Sequence, residues 1–360
     1  MGRANTLKNQ LENVLDSVGQ VQWRDLTYYG KKWSTAIILS QMAGLWHRLT
    51  AGSLSYSRDE QRALLGRLAN LFRDDLRHVK AGRYERALAE MFPLAEYLRI
   101  APSMVFEFPR IHRRRSAADC YDLPPYSEGA YPRYYTRNFH WQTDGWLSER
   151  SAKLYDPSVE FLFGGTADIM RRMLLPVLIE ACDAVPSPRI LDVACGTGSL
   201  LNQLRFERPD WTLFGVDLSP YYIAHAKRQL SDANAILRVA NGEALPFDDN
   251  TFDAVTSVFL FHELPRDVRR RVLAEMTRVT KQGGLVAVLD SEQLSLGEDI
   301  GVFLNNFPKV YHEPYYKGYL RDDVRDVFEE VGLPRPQTQP HFVARSFHTQ
   351  KLSERADERQ

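Results

Sequence analysis

Apolar positions along the chain follow three successive patterns. In residues 1–100, Leu7, Leu11, Val14, Leu15 and Val18 recur at helical spacing, as do Leu64, Leu65, Leu68, Leu71, Phe72 and Leu76. Between them Ile37, Ile38, Met42, Leu45, Trp46 and Leu49 predict a more buried helix that stops near Gly52, and further helices are expected over 84–92 and 94–98. Stripes of this kind serve as core or as a dimer seam, so a homodimer through these helices is the partner expected at this end of the chain. From 102 to 146 the periodicity disappears. From 190 onward short apolar runs alternate with helical stripes, predicting strands over 190–193, 212–216, 236–239, 254–258 and 285–289. Helices are expected over 167–181, 199–206, 221–230, 266–280 and 322–331, with a terminal strand over 341–347. Such alternation is that of a doubly wound α/β sheet.

The middle stretch carries Pro124, Pro125 and Pro132 among Tyr121, Tyr126, Tyr131, Tyr134, Tyr135, Phe139, Trp141 and Trp146. Proline and glycine exclude long regular elements there, and so many aromatic rings must pack on something. It reads as a strap across two domains, or as a lid or wall over an apolar or aromatic substrate. A basic knot (Arg110, His112, Arg113, Arg114, Arg115) precedes it and reads more readily as a solvated loop than as an anion site. The expected division is a helical domain over 1–105, the linker or lid over 106–150, an α/β domain over 151–350 and a charged tail over 351–360.

Composition narrows the classes of function. Lys+Arg and Asp+Glu both number 46, a formal charge of zero, which speaks against a broad nucleic-acid footprint. Three cysteines (Cys120, Cys182, Cys195) show no metal spacing, and no metal ligand set is legible. No run is long and apolar enough to span a membrane, and the expected location is cytoplasmic.

The candidate chemistry centres on Arg189 to Gly198, where the strand Ile190-Leu191-Asp192-Val193 runs into Gly196-Thr197-Gly198 and a helix. A strand turning on glycines into a helix lets a ligand approach the backbone at the carboxyl edge of the sheet. The next strand ends in Asp217, where a carboxylate can accept both hydroxyls of a ribose. A dinucleotide fingerprint asks for a third glycine or alanine at 201, but that residue is Leu, so a dehydrogenase is the least favoured reading. The run Leu191-Asp192-Val193-Ala194-Cys195-Gly196-Thr197-Gly198, then Gly215-Val216-Asp217-Leu218-Ser219, resembles motifs I and II of the class I S-adenosylmethionine-dependent methyltransferases. Asn241 to Asp249 and Phe252-Asp253-Ala254-Val255 resemble its third and fourth motifs. The resemblance covers roughly 150–350, and its wording is closest to the branch that methylates quinones and natural products.

The resemblance implies a Rossmann-like seven-stranded α/β methyltransferase sheet, here with an added N-terminal helical domain. It implies S-adenosylmethionine (SAM) as cofactor and a small-molecule acceptor. It places the amino-acid moiety against Asp192, Ala194, Gly196 and Gly198, the ribose on Asp217, and the adenine against Leu218, Asn241 and Gly242. Phe259 would sit near the methionine part and Tyr155 would reach the cofactor's carboxylate. Ala194 stands where the family often has Gly, and Asn241 where Asp is usual; an amide keeps the acceptor and loses the charge.

Methyl transfer from a sulfonium needs chiefly an aligned nucleophile, with a general base only where that nucleophile carries a proton. His262 and Glu263, just past the fourth strand, are the acid/base candidates, since imidazole titrates near neutrality. Trp141, Asp290, Tyr311 and Tyr315 are the expected acceptor-pocket residues, with His140 and Asp144 weaker candidates. Two alternatives keep the fold: a SAM-binding regulatory or assembly subunit without transfer, and a protein or RNA methyltransferase.

Overall fold

The computed structural model describes residues 23–50, 56–85, 102, 107 and 109–352. The stripe at Leu7 to Val18 and the expected helix over 94–98 lie outside these residues, as do the side chains of Met42, Leu45, Trp46 and Leu49. Two helices open the described chain, α1 (Trp23–Thr50) and α2 (Arg58–Lys80). The α/β part follows with α3 (Glu149–Leu162), α4 (Ala167–Arg172), α5 (Leu175–Cys182), β1 (Arg189–Val193), α6 (Ser199–Glu207), β2 (Thr212–Asp217), α7 (Pro220–Gln229) and β3 (Ala235–Val239). It continues with β4 (Phe252–Val258), α8 (Arg266–Val279), β5 (Thr280–Ser291), α9 (Gly301–Val310), α10 (Tyr316–Tyr319), α11 (Val324–Glu330), β6 (Gln337–His341) and β7 (Ala344–Gln350).

The strands form one seven-stranded sheet in the order β3-β2-β1-β4-β5-β7-β6. β1 pairs in parallel with both β2 and β4, and β7 alone runs antiparallel, between β5 and β6. Ile190, Leu191, Val193 and the run Val286 to Leu289 have no exposed surface, because helices cover both faces of the sheet. The strand order reverses between β1 and β4, and at such a switch point the loops diverge and leave a crevice at the carboxyl ends.

Three expectations change. The terminal strand is a hairpin, β6 and β7, turned at Phe342 with φ 62°. The stretch expected as one helix over 167–181 is α4 and α5, broken at Met173–Leu174 with a proline in the first turn of α5. Ile37 and Ile38 are exposed; α1 buries Tyr28, Tyr29, Ala36 and Leu39, a face about 100° of arc away from the expected one.

The described N-terminal helices share one continuous core with the sheet. Buried Asp75 of α2 accepts hydrogen bonds from Arg172 Nε at 2.8 Å and Nη2 at 2.9 Å, from Tyr84 at 2.7 Å, and from Tyr28. Arg67 of α2 reaches Asp299 at 2.6 Å and Glu292, the residue after β5, at 2.8 Å.

Candidate active site

A cleft opens over the carboxyl ends of β1, β2 and β4. Its floor is the turn that leaves β1. Ala194 (φ 57°), Gly196 (φ 55°) and Gly198 (φ 84°) all take left-handed backbone, a cost for the alanine that a glycine would not meet. A Cβ built on Gly196 would meet nothing within 4 Å, so the backbone there faces open space, whereas one on Gly198 would lie 3.0 Å from Leu230 Cδ1. The turn therefore presents bare backbone on one side and packs tightly on the other.

Asp217 closes β2 beside this turn. Its Oδ2 accepts from Gly196 N at 3.0 Å and its Oδ1 from Ser219 N at 2.8 Å, which aims the carboxylate along the cleft. Burial pushes its carboxyl up, to about 6, against the pull of these backbone donors. Leu218, Asn241 and Gly242 continue the wall. Asn241 is held by its Oδ1, which accepts from Glu243 N at 3.0 Å. Asp192 lies beneath the turn, where its Oδ1 accepts from Thr256 Oγ1 at 2.9 Å, and burial pushes its carboxyl up to about 7. Asp192 and Gly198 thus shape the turn from behind, while Ala194, Gly196, Asp217, Leu218, Asn241, Gly242, Tyr155 and Phe259 line the cleft itself.

The opposite wall comes from the aromatic strap, which supplies Tyr134, Tyr135, Phe139 and Trp146. Trp146 stacks on Phe139 at 5.7 Å and meets Tyr155 and Tyr222 edge-on at 5.6 and 5.7 Å. The strap is pinned to the sheet edge: Ser219 Oγ donates to Trp146 O at 2.6 Å, and Tyr134 donates to Glu243 beside Asn241. Thr197 and Ser199 each donate to Asp156 Oδ1 at 2.9 Å, tying α3 and its Tyr155 to the glycine turn. A left-handed turn over bare backbone, a carboxylate at the next strand end and a ring-lined wall fit a nucleoside with an amino-acid tail.

A second cavity adjoins the cleft, with Tyr155, Phe259 and Glu263 as the shared partition. It is lined mainly by rings and aliphatic side chains, among them Phe163, Phe303, Phe307 and Tyr316. Phe163 stacks on Phe259 at 6.2 Å and on Phe307 at 6.5 Å. His262 also lines this cavity, and its Nδ1 is 2.6 Å from Asp290 Oδ1. Burial opposes the charged ring, but the buried Asp290 carboxylate outweighs it and pushes His262 up to about 10. Asp290 Oδ2 accepts from Phe261 N at 2.6 Å, fixing the carboxylate behind the imidazole.

The four expected acceptor residues all stand one layer back from this cavity. Asp290 acts through His262, with no exposed surface of its own. Trp141 donates its indole N–H to Val310 O at 3.2 Å and packs against His312, while Tyr311 packs on Phe307 at 4.8 Å. Tyr315 packs with the Phe139 and Trp146 cluster. The rings that do line the cavity come from α3 and the residue after it, the turn after β4, α9 and α10. Phe163 was not singled out from the sequence, where its place beside Gly164 and Gly165 is the one signal that could have found it.

Residues 190–284 match the family model described as a methyltransferase domain. A demethylmenaquinone methyltransferase of Thermotoga maritima is 33% identical over 40% of this chain and 59% of that protein. Another protein of that name, from Beutenbergia cavernae, is 31% identical over 51% of this chain and 75% of that protein. A Haloferax volcanii methyltransferase, solved in complex with the Trm112 methyltransferase activator, is 16% identical with a TM-score of 0.44, over 57% of this chain and 97% of that one. The chain spans 59% and 57% of the length of the first two curated relatives it matches. Among the described residues no helix is long and apolar enough to cross a membrane. From the strand order, the glycine turn and the relative matched over three quarters of its length, the chain belongs to the class I S-adenosylmethionine-dependent methyltransferases.

Proposed function

We propose that this chain binds SAM in the cleft and methylates a small aromatic acceptor held in the adjoining cavity, through an oxygen or a ring carbon activated by one. The observation that carries this reading is the shared partition: Tyr155, Phe259 and Glu263 belong to both spaces, so the two ligands would meet there. The relatives' printed name, demethylmenaquinone methyltransferase, supports an aromatic acceptor.

The cofactor supplies an electrophilic methyl on sulfur, and the chain's work is to hold and align. Asp217 would accept the ribose hydroxyls, Asn241 and Gly242 would flank the adenine, and the open backbone at Ala194 and Gly196 would receive the amino-acid tail. The rings of the cavity would hold a planar acceptor by stacking. Asp290 holds His262 by Nδ1 and keeps the ring charged at neutral pH, so the other ring N–H would be offered as a hydrogen-bond donor that favours the anionic form of an acceptor oxygen.

The test is to incubate the protein with SAM and a panel of naphthoquinols and phenols and follow release of S-adenosylhomocysteine. Release that depends on an aromatic acceptor is expected. His262→Ala should keep SAM affinity and lose turnover by about 100-fold or more. Full turnover in that variant would remove His262 from the chemistry. SAM binding with no release for any small acceptor would favour a subunit that binds without transfer.

A further inference from the structure

We propose that His140, Glu263 and Glu313 form a divalent-cation site at the mouth of the acceptor cavity, with coordination positions left for an acceptor oxygen. The three side chains come from three separate segments: the strap, the turn after β4 and the loop after α9. Their donor atoms lie within 4.8 Å of one another, with His140 Nε2 3.0 Å from Glu313 Oε1 and 3.5 Å from Glu263 Oε1. Metal–ligand bonds of about 2.1 Å place donor atoms about 3 to 4 Å apart, a spacing that both His140–carboxylate pairs already have.

Glu313 points to a ligand independently of this spacing. Its side chain has no exposed surface, yet neither carboxylate oxygen has a hydrogen-bond partner among the described residues. His140 approaches it at 3.0 Å without the geometry of a hydrogen bond. The contact is an ion pair at most, and it leaves the Glu313 lone pairs without a hydrogen-bond donor. A buried carboxylate with unused lone pairs is costly, and a cation at that point would satisfy it.

The surrounding structure fixes these donors. His140 N donates to His312 O at 3.1 Å, and the Trp141 indole donates to Val310 O, so strap and loop are joined next to the His140–Glu313 approach. His140 itself takes left-handed backbone, φ 53°, and its side chain lines the cavity. One imidazole and two carboxylates suit a borderline ion of the Mn(II), Fe(II) or Zn(II) type better than an all-oxygen Mg(II) site. Three protein ligands leave positions open, as in metal sites that receive a substrate. Glu263 and His140 both line the acceptor cavity, so those positions face it. The coordination stands apart from the methyltransferase reading; the role given to the ion, holding an acceptor oxygen beside the methyl donor, rests on it.

The experiment uses the full chain, stripped with chelator and titrated with Mn(II) under electron paramagnetic resonance. One tightly bound Mn(II) per chain is expected, with nitrogen-14 coupling from a directly bound imidazole in the echo-modulation spectrum. Glu313→Gln and His140→Ala should each weaken binding by at least about tenfold. SAM affinity, measured by calorimetry on the same samples, should stay within a few-fold, which separates loss of the ion from loss of the cofactor site. Absence of Mn(II) and Zn(II) binding by the wild-type chain, with or without SAM, overturns the proposal. So does a bound Mn(II) without nitrogen coupling, a result that needs no variant to fold.

Discussion

Asp217 shows how one side chain can carry both recognition and cost. Two backbone donors aim it along the cleft, while burial pushes its carboxyl up to about 6. The ionised form is the one that can accept both ribose hydroxyls, so SAM affinity should fall about tenfold between pH 7 and pH 5. Stability moves the other way. A carboxyl raised above its unfolded value contributes stability that is fully present below the ordinary carboxylate range and lost as pH rises through about 6. Calorimetry across that window checks the sign, and a flat affinity profile would remove Asp217 from ribose binding. Gly215 is a second residue with a sharp expectation: a Cβ there would sit 2.7 Å from Leu237 Cδ2, 2.8 Å from Cys195 Sγ and 2.9 Å from Leu201 Cδ1. Gly215→Ala should cost about 1–3 kcal/mol in a urea titration, with the sheet's circular dichroism retained. The glycine turn and Asp217 were legible in sequence because their geometry is local. Glu313 was not, since only the folded chain brings it to His140, and Trp141 and Tyr311 misled because their polar tips and rings are used in holding the strap to α9.

Among the elements, the strap over 109–148 changes the picture most, because it walls the cleft instead of merely connecting two parts. Its contact with the corner at Asn241 and Gly242, proposed above for the adenine, is the Tyr134–Glu243 hydrogen bond. Tyr134→Phe should leave the fold intact and weaken SAM several-fold, about 1 kcal/mol for a half-exposed bond. Unchanged affinity would mean that the wall stands without this tie. The strands of the sheet interior were readable as apolar runs because both faces are buried. β6 was missed for the opposite reason: Gln337, Thr338, Gln339 and Pro340 form a polar edge that makes its hydrogen bonds only to β7. The break between α4 and α5 was missed because the apolar stripe continues across it, while the backbone is interrupted just before Pro176. Ile37 and Ile38 drew attention by their hydropathy, yet the helix turns Tyr28, Ala36 and Leu39 inward.

For the whole molecule, the described helices α1 and α2 and the methyltransferase sheet share one core, and the Asp75–Arg172 pair lies at their junction. Arg172→Ala leaves Asp75 buried without its cation and should cost about 3–5 kcal/mol, whereas replacing both residues with apolar ones of similar size should cost much less. Thermal melts of the two variants distinguish a junction held by this pair from one held by apolar packing alone. The helices also matter to the acceptor cavity, because Glu60 of α2 accepts a hydrogen bond from Phe303 N at 2.7 Å and so supports one of its rings. The account as a whole depends on the cleft at the strand-order reversal being a SAM site read through Asp217. Calorimetry of S-adenosylhomocysteine against the wild-type chain and Asp217→Ala tests this most directly. One molecule bound per wild-type chain and none measurable in the variant is the result expected, and no binding to the wild type, or equal affinity in both, would contradict it.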